Sequence, residues 1–283
     1  MSGVLQASGI SLGYPGEQGW HTVLQGFDLH VEAGEVVSIL GPSGVGKSSL
    51  LRVLAGLQSA REGGVSVGGE RLSGPHPRIA VAFQDPSLLP WLTLEKNVAF
   101  GLDFASQPVL EAAERKRRVE QAIAEVGLSH ARTYHPAQLS GGMAQRTALA
   151  RCLARHPDVL LLDEPFSALD EVTRADMQQL VLDVTARHRT AVVLITHDID
   201  EALLLSNRIL LLGDTPARTV GEWRIDLPRP RADRVEELGV LRVDILKTLR
   251  RASRTPQSHP ETLESPENGH VPGRLHSHTS RLS

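Results

Sequence analysis

A glycine-rich run that ends in lysine and serine, GPSGVGKS at 41–48, has the residue types that hold a triphosphate. It fits the pattern G-x-x-x-x-G-K-[ST], in which backbone N–H groups surround the phosphate oxygens. Lys47 supplies a positive charge for the β- and γ-phosphates, and the Ser48 hydroxyl can bind Mg²⁺. Positive φ angles and a close approach to the anion are expected at Gly41, Gly44 and Gly46. The run therefore predicts an ATP-binding loop, whose other contacts come from Pro42, Ser43, Val45 and Ser49.

The segments on either side of this loop predict how it is held. VVSIL at 36–40 is typical of a buried strand, and SSLLRVLAGL at 48–57 has the leucine spacing of a helix. A strand, a glycine turn and a helix in this order put the phosphates at a helix N-terminus. The helix dipole favours negative charge there.

Two carboxylates follow another apolar run, VLLLDEP at 159–165. Such a run is typical of a strand buried on both faces of a parallel sheet, and ligands bind at the carboxyl ends of such strands. We expect Asp163 to join the Mg²⁺ shell and Glu164 to accept a proton from an attacking water. The alternative for Glu164 is a second metal ligand or a helix-capping acid. AVVLIT at 191–196 delivers His197 to the same edge, where it contacts the γ-phosphate or is structural.

A second glycine-rich stretch, LSGGMAQR, occupies 139–146. Ser140 is a favoured N-cap residue, while Gly141 and Gly142 leave backbone N–H groups accessible at the start of a predicted helix. This arrangement predicts a second anion-binding helix N-terminus, or alternatively a glycine-rich turn before a helix. One ATP does not need two such sites from one chain. Two chains arranged head to tail could each offer one to the other's nucleotide.

With these motifs the chain resembles the ATP-binding subunit of an ABC transporter over roughly residues 4–250. LSGGMAQR is similar to the sequence that defines the family and departs from its commonest form at Met143 and Ala144. The family's Q-loop, D-loop and H-loop are matched, in order, by FQ at 83–84, SALD at 167–170 and THD at 196–198. Tyr14 matches the aromatic residue that stacks on adenine. Alternatively it packs the edge of a β-subdomain, with Trp20 nearby.

The resemblance implies an α/β fold, a P-loop NTPase core with an antiparallel β-subdomain and an inserted helical subdomain at about 86–156. Strand patterns up to about residue 35 and at 63–83 fit the β-subdomain, with a hairpin turn at Gly68-Gly69. Residues 157–215 alternate between strand and helix. The stretch 251–283 is rich in Pro, Ser and His, which predicts a disordered tail. We expect solvated rather than metal-binding side chains at His270, His276 and His278.

The resemblance also implies that two chains enclose ATP. The phosphate loop of one chain would face Ser140, Gly141 and Gly142 of the other. The implied catalytic residues are Glu164, His197, Gln84 and Lys47. The implied Mg²⁺ ligands are Ser48, Gln84 and Asp163.

Large apolar residues follow Gln84 and are flanked by prolines: Leu88, Leu89 and Trp91. The resemblance implies that transmembrane permease subunits dock between Gln84 and Trp91, and that a periplasmic or extracellular solute-binding protein acts indirectly. The LLPW sequence at 88–91 resembles the corresponding segment of the ATP-binding subunits of importers for nitrate, taurine and aliphatic sulfonates. The alternative for these side chains is packing within the helical subdomain. The alternative for the protein is a soluble ABC ATPase in a cofactor-assembly complex.

Composition agrees with this interpretation. The 283 residues carry a net charge of −3, which indicates no nucleic-acid partner. No apolar run approaches the ~20 residues of a transmembrane helix, and the start MSGVLQASGI lacks the features of a signal peptide. We expect a cytoplasmic protein bound peripherally to the inner face of the cell membrane. Cys152, the only cysteine, is expected to be small and buried.

Overall fold

The computed structural model describes residues 4–16, 19–104 and 107–252. The predicted tail lies outside these residues except for Arg251 and Ala252, which close the last helix. His270, His276 and His278 also lie outside them.

The described residues form two β-sheets and a set of α-helices. The strands are β1 (Leu5–Gly16), β2 (Gly19–Val31), β3 (Val36–Leu40), β4 (Glu62–Val67), β5 (Glu70–Arg71), β6 (Ile79–Ala82), β7 (Val159–Asp163), β8 (Ala191–Ile195), β9 (Arg208–Gly213) and β10 (Arg218–Arg224). The helices are α1 (Lys47–Leu54), α2 (Leu94–Ala99), α3 (Ala112–Glu125), α4 (Gly141–Leu153), α5 (Glu171–His188), α6 (Ile199–Leu205) and α7 (Val235–Ala252). Short 3₁₀ turns at Ser129–Ala131 and Pro136–Gln138 lie between α3 and α4.

The six-stranded sheet forms the core, in the order β10-β9-β3-β8-β7-β6. Its strands are parallel except for β10, which pairs antiparallel with β9 at one edge. All residues of β3 and β8 are buried, as expected for strands covered on both faces. Because β7 and β8 are neighbours and parallel, the residues that follow them emerge side by side. The strands predicted from VVSIL, VLLLDEP and AVVLIT are confirmed.

The four-stranded sheet is antiparallel and has the order β2-β1-β4-β5. Gly68 and Gly69 join β4 to β5 with φ angles of 56° and 87°, which confirms the predicted hairpin turn. The assignment of the whole stretch 63–83 to this sheet is wrong. Its last strand, β6, pairs parallel with β7 and so belongs to the core sheet.

Helices α2, α3 and α4 pack together beside the β6 edge of the core sheet. On α3, Val119, Ala122 and Ile123 are buried, as their helical spacing predicts. On the charged side, Glu114 accepts hydrogen bonds from Arg117 and Arg118, which lower the pKa of its carboxyl to about 2. The predicted subdomain limits of 86 and 156 stay a prediction.

The strand and helix alternation continues beyond residue 215 with β10 and α7, two elements that the sequence patterns had not assigned. Within the described residues, no helix is both long enough and apolar enough to span a bilayer.

Candidate functional site

The glycine-rich loop connects β3 to α1, as predicted. Gly44 and Gly46 have φ angles of 80° and 97°, a conformation that favours glycine, and Gly46 is the N-cap residue of α1. The prediction of a positive φ at Gly41 is wrong. Lack of space excludes a side chain there instead, because a Cβ would lie 2.9 Å from the Leu212 carbonyl oxygen and 3.0 Å from Cγ1 of Val45. α1 also ends at Leu54, earlier than predicted, before Gly56 with φ 71°.

Lys47 is the first residue of α1 and its side chain is buried. Its ammonium donates hydrogen bonds to the carbonyl oxygens of Gly41, at 2.8 Å, and Pro42, at 3.0 Å. Burial lowers the pKa of Lys47, and the nearby carboxylates of Glu164 and Asp163 oppose this effect. The loop therefore already holds the lysine charge against its own backbone.

Ser48 and Asp163, two of the predicted Mg²⁺ ligands, are brought together across the loop and β7. The Ser48 hydroxyl donates to Oδ1 of Asp163 at 3.4 Å. Burial raises the pKa of Asp163, and the hydrogen bond from Ser48 partly offsets the rise. The third predicted ligand, Gln84, donates through Nε2 to the Ser167 hydroxyl at 3.2 Å. The backbone carbonyl oxygen of Gln84 accepts a 2.7 Å hydrogen bond from Nε2 of Gln145 on α4.

Glu164 and His197 leave adjacent strands and meet at their carboxyl ends. Oε2 of Glu164 lies 3.3 Å from Nδ1 of His197. Glu164 has a φ of 45°, which is uncommon for a residue with a side chain, and its N–H donates to the Ile195 carbonyl oxygen at 2.9 Å. The Glu164 carboxylate also lies near enough to Lys47 to oppose the lowering of the lysine pKa by burial.

A buried carboxylate that the sequence reasoning missed supports the His197 turn. Glu201 accepts a 2.7 Å hydrogen bond from the Thr196 hydroxyl, which in turn accepts one from the Asp198 N–H at 3.0 Å. Burial raises the pKa of Glu201, and the hydrogen bond from Thr196 opposes the rise. The sequence signal was available, because Asp198 and Glu201 have the spacing of a capping box at the start of α6.

Thr196→Val is expected to lower the free energy of unfolding by about 1–3 kcal/mol, because it leaves the buried Glu201 carboxylate without its hydroxyl donor. ATP hydrolysis should fall as well, since the His197 turn loses its support. Urea unfolding and phosphate release measure the two effects. The matched control is Thr185→Val, where a buried hydroxyl donates to the Val181 carbonyl oxygen of its own helix. Equal losses in the two variants would contradict a special role for the Thr196 hydroxyl.

Ser140 caps α4 by accepting a 3.2 Å hydrogen bond from the Met143 N–H. A Cβ on Gly142 would lie 2.4 Å from Cγ2 of Thr173 on α5, whereas one on Gly141 would meet open space. Within the part of the chain that the structure describes, no hydrogen bond joins 140–142 to the loop at 41–48. One chain thus brings together the loop, Asp163, Glu164 and His197, but not the second glycine-rich stretch.

Tyr14 lies beside the phosphate loop, where its hydroxyl is 2.6 Å from the Ser49 hydroxyl. Its side chain is 43% exposed, so part of the ring is available to a ligand. Trp20 instead packs against Arg61, whose guanidinium carbon is 4.9 Å from the ring centroid. The adenine contact of Tyr14 stays a prediction.

The segment after Gln84 is held firmly while it presents an aromatic side chain. Asn97, fully buried, accepts from the Leu89 N–H at 2.8 Å and donates to the carbonyl oxygens of Leu89 and Leu92. Arg151 donates to the Pro86 carbonyl oxygen at 2.7 Å. Trp91 is 71% exposed, whereas Leu88 and Leu89 are half-buried.

Comparison with known proteins agrees with these features. The family model described as ABC transporter matches residues 24–167. The chain is 49% identical over 228 residues to the aliphatic sulfonates import ATP-binding protein SsuB 2 of Burkholderia lata, covering 81% of each chain. It is 44% identical to the nitrate transport protein NasD of Klebsiella oxytoca, over 82% of this chain and 88% of that one.

Among solved structures, the dimeric ATP-binding cassette MJ0796 bound to ADP and Pi superposes with a TM-score of 0.69. It is 29% identical in sequence, and the match covers 79% of this chain and 100% of that one. The likeness confirms the predicted fold class. The motifs, the fold and the relatives lead to one conclusion: the chain belongs to the ABC transporter family, as an ATP-binding subunit.

Proposed function

We propose that this chain is the subunit that hydrolyses ATP to power a multi-subunit importer. The observation that carries the proposal is the contact between Glu164 and His197 at the sheet edge that also holds Lys47. A base, an imidazole and a phosphate-binding loop at one edge are the parts that phosphoryl transfer to water requires.

The residues of the loop fit ATP and Mg²⁺. The backbone N–H groups and Lys47 bind the phosphates at the N-terminus of α1. Ser48, Asp163 and the Gln84 amide offer the oxygen ligands that Mg²⁺ prefers. The metal neutralises charge on the β- and γ-phosphates when bound. Tyr14, half-exposed beside Ser49, stacks on the adenine.

Glu164 is the general base for the attacking water. Its positive φ and its contact with His197 hold the carboxylate beside the phosphate loop. His197, Lys47 and Gln84 contact the transferring phosphoryl group and its surroundings. Water attack needs no covalent intermediate on the protein, so positioning and charge account for the catalysis.

Two copies of the chain complete the site. In one copy Ser140 caps α4, and the N–H groups of Gly141 and Gly142 lie at the N-terminus of this helix. They do not contact the nucleotide that the loop at 41–48 of the same chain binds. A second copy arranged head to tail supplies a phosphate to them, so that each ATP lies between two chains. The dimeric MJ0796 cassette, which is similar to this chain, supports this arrangement.

Trp91 and its neighbours dock a permease subunit on the inner face of the membrane, to which the chain binds peripherally. The rigid backbone around Asn97 and the exposed indole make an anchor with little conformational entropy to lose. A solute-binding protein acts on the permease from the other side. The relatives named for aliphatic sulfonates and nitrate favour a small anion of that kind as the solute.

Trp91→Ser is expected to weaken binding to the permease by about tenfold or more, as for an aromatic anchor in an interface. Purification from membranes with a tag on this chain, followed by quantification of the integral membrane protein retained, measures the effect. The matched control is Val109→Ser, which removes another exposed apolar side chain from the segment between α2 and α3. A purely soluble complex recovered with the unmodified chain would contradict the importer and favour a cofactor-assembly ATPase.

A further inference from the structure

The last helix, α7, has one face that packs on its own chain. Leu238, Leu241, Ile245 and Leu249 lie against the apolar cluster formed by β9, α6 and neighbouring residues. Their spacing of three and four residues puts them on one side of the helix. Ile245 and Leu249 also line a cavity of about 250 Å³ together with Gly41–Ser43 and His197. α7 is therefore the element that backs the phosphate loop.

The opposite face of α7 carries a second stripe, at the 4-3-4 spacing of a coiled-coil seam: Glu236, Val240, Val243 and Lys247. Val240 is 73% exposed and Val243 is 49% exposed. Among the described residues, neither Glu236 nor Lys247 has an ion-pair partner, unlike Arg242, which pairs with Asp200 at 2.8 Å. The stripe is apolar at its centre, acidic at one end and basic at the other.

Gly239 lies beside this stripe in the middle of the helix. A Cβ at this position would meet no atom within 4 Å, so nothing in the described chain requires a glycine there. Glycine inside a helix costs about 1 kcal/mol relative to alanine. A glycine at this position leaves room for another helix to approach closely.

The stripe is complementary to itself. Glu236 and Lys247 are equally far from the midpoint between Leu241 and Arg242, and so are Val240 and Val243. An antiparallel copy centred on that midpoint places Val240 opposite Val243, and Glu236 opposite Lys247, twice by symmetry. We propose that α7 docks antiparallel onto α7 of a second copy of this chain, as a contact between copies that needs no nucleotide.

This contact goes beyond the proposed ATPase and does not depend on it. Eighteen residues of helix extend about 27 Å, so the interface is smaller than the ~1,200–2,000 Å² of a stable complex. The association is weak alone. A permease or ATP that holds two chains together raises the local concentration of the second chain, and the weak contact then forms within the pair.

Disulfide trapping tests both the contact and its register in the full-length chain without nucleotide. One sample mixes chains that carry Val240→Cys with chains that carry Val243→Cys, and it is mildly oxidised. We expect it to form more covalent dimer than the mean of the amounts formed when each variant is oxidised alone. The native Cys152 does not compete, because it is buried and burial raises the pKa of its thiol to about 11. Val235→Cys is the matched control, since Val235 is also 73% exposed but lies off the seam.

Charge reversal provides the second arm of the test, in the Val240→Cys and Val243→Cys mixture. Glu236→Lys or Lys247→Glu alone is expected to lower dimer trapping about two- to tenfold, and the two together should restore it. Trapping of Val235→Cys equal to that of the mixture would overturn the proposal, since it would indicate random collision. Preferential trapping of Val240→Cys with itself would overturn the antiparallel register, and failure of the double reversal to restore trapping would overturn the charge pairing.

Discussion

Glu164→Gln retains ATP binding and loses nearly all hydrolysis. The amide keeps the shape of the side chain at the end of β7 but cannot accept a proton from water, and loss of a general base costs about 10²- to 10⁴-fold in rate. Phosphate release under saturating ATP measures the loss, and equilibrium binding of a fluorescent nucleotide measures what remains. Because ATP is bound and not consumed, light scattering should show the mass of two chains.

The appropriate control for this variant is Glu70→Gln, which makes the same chemical change on an exposed residue of β5. It should leave both rate and binding unchanged. Brisk turnover by Glu164→Gln would remove Glu164 as the base. In that case the contact with His197 would be a structural one, and the alternative interpretation of Glu164 as a metal ligand or capping acid would be favoured.

Local patterns were enough to predict the elements that hold these groups. An apolar run long enough for one strand, followed by a polar residue, predicted both β7 and β8, and parallel pairing then put Glu164 and His197 at one edge. The glycine-rich loop was equally readable, because its pattern is confined to eight consecutive residues. Their chemical roles stay predictions.

Features that depend on distant residues could not be predicted. Gly41 was expected to need a positive φ, but its constraint is the Leu212 carbonyl oxygen, which comes from β9. β6 follows a hairpin and was grouped with the small sheet, yet its hydrogen-bond partner is β7. Glu201 had a detectable capping pattern, whereas its bond to Thr196 depends on how β8 enters α6. The first two differences reflect contacts with strands distant in sequence, whereas the bond between Thr196 and Glu201 spans only five residues.

The position of Ser140 makes a second large effect testable. Its hydroxyl satisfies the Met143 N–H and stands at the N-terminus of α4, where the proposed dimer brings the partner's phosphates. An arginine there is bulky and removes the cap, which by itself costs about 1 kcal/mol. The two effects must therefore be separated, and Ser140→Ala does so, because it removes the cap without adding bulk.

Ser140→Arg, made together with Glu164→Gln, is expected to bind ATP as one chain and to abolish the ATP-dependent dimer expected for Glu164→Gln alone. Ser140→Ala in the same background should dimerise with a modest loss of affinity, and Ser129→Arg, which adds the same charge at an exposed site between α3 and α4, should dimerise normally. Light scattering with and without ATP measures all three. Unchanged dimerisation of Ser140→Arg would contradict the enclosed nucleotide, because a side chain of that size cannot share the space with a phosphate. Loss of dimer in Ser129→Arg would instead point to a general effect of charge.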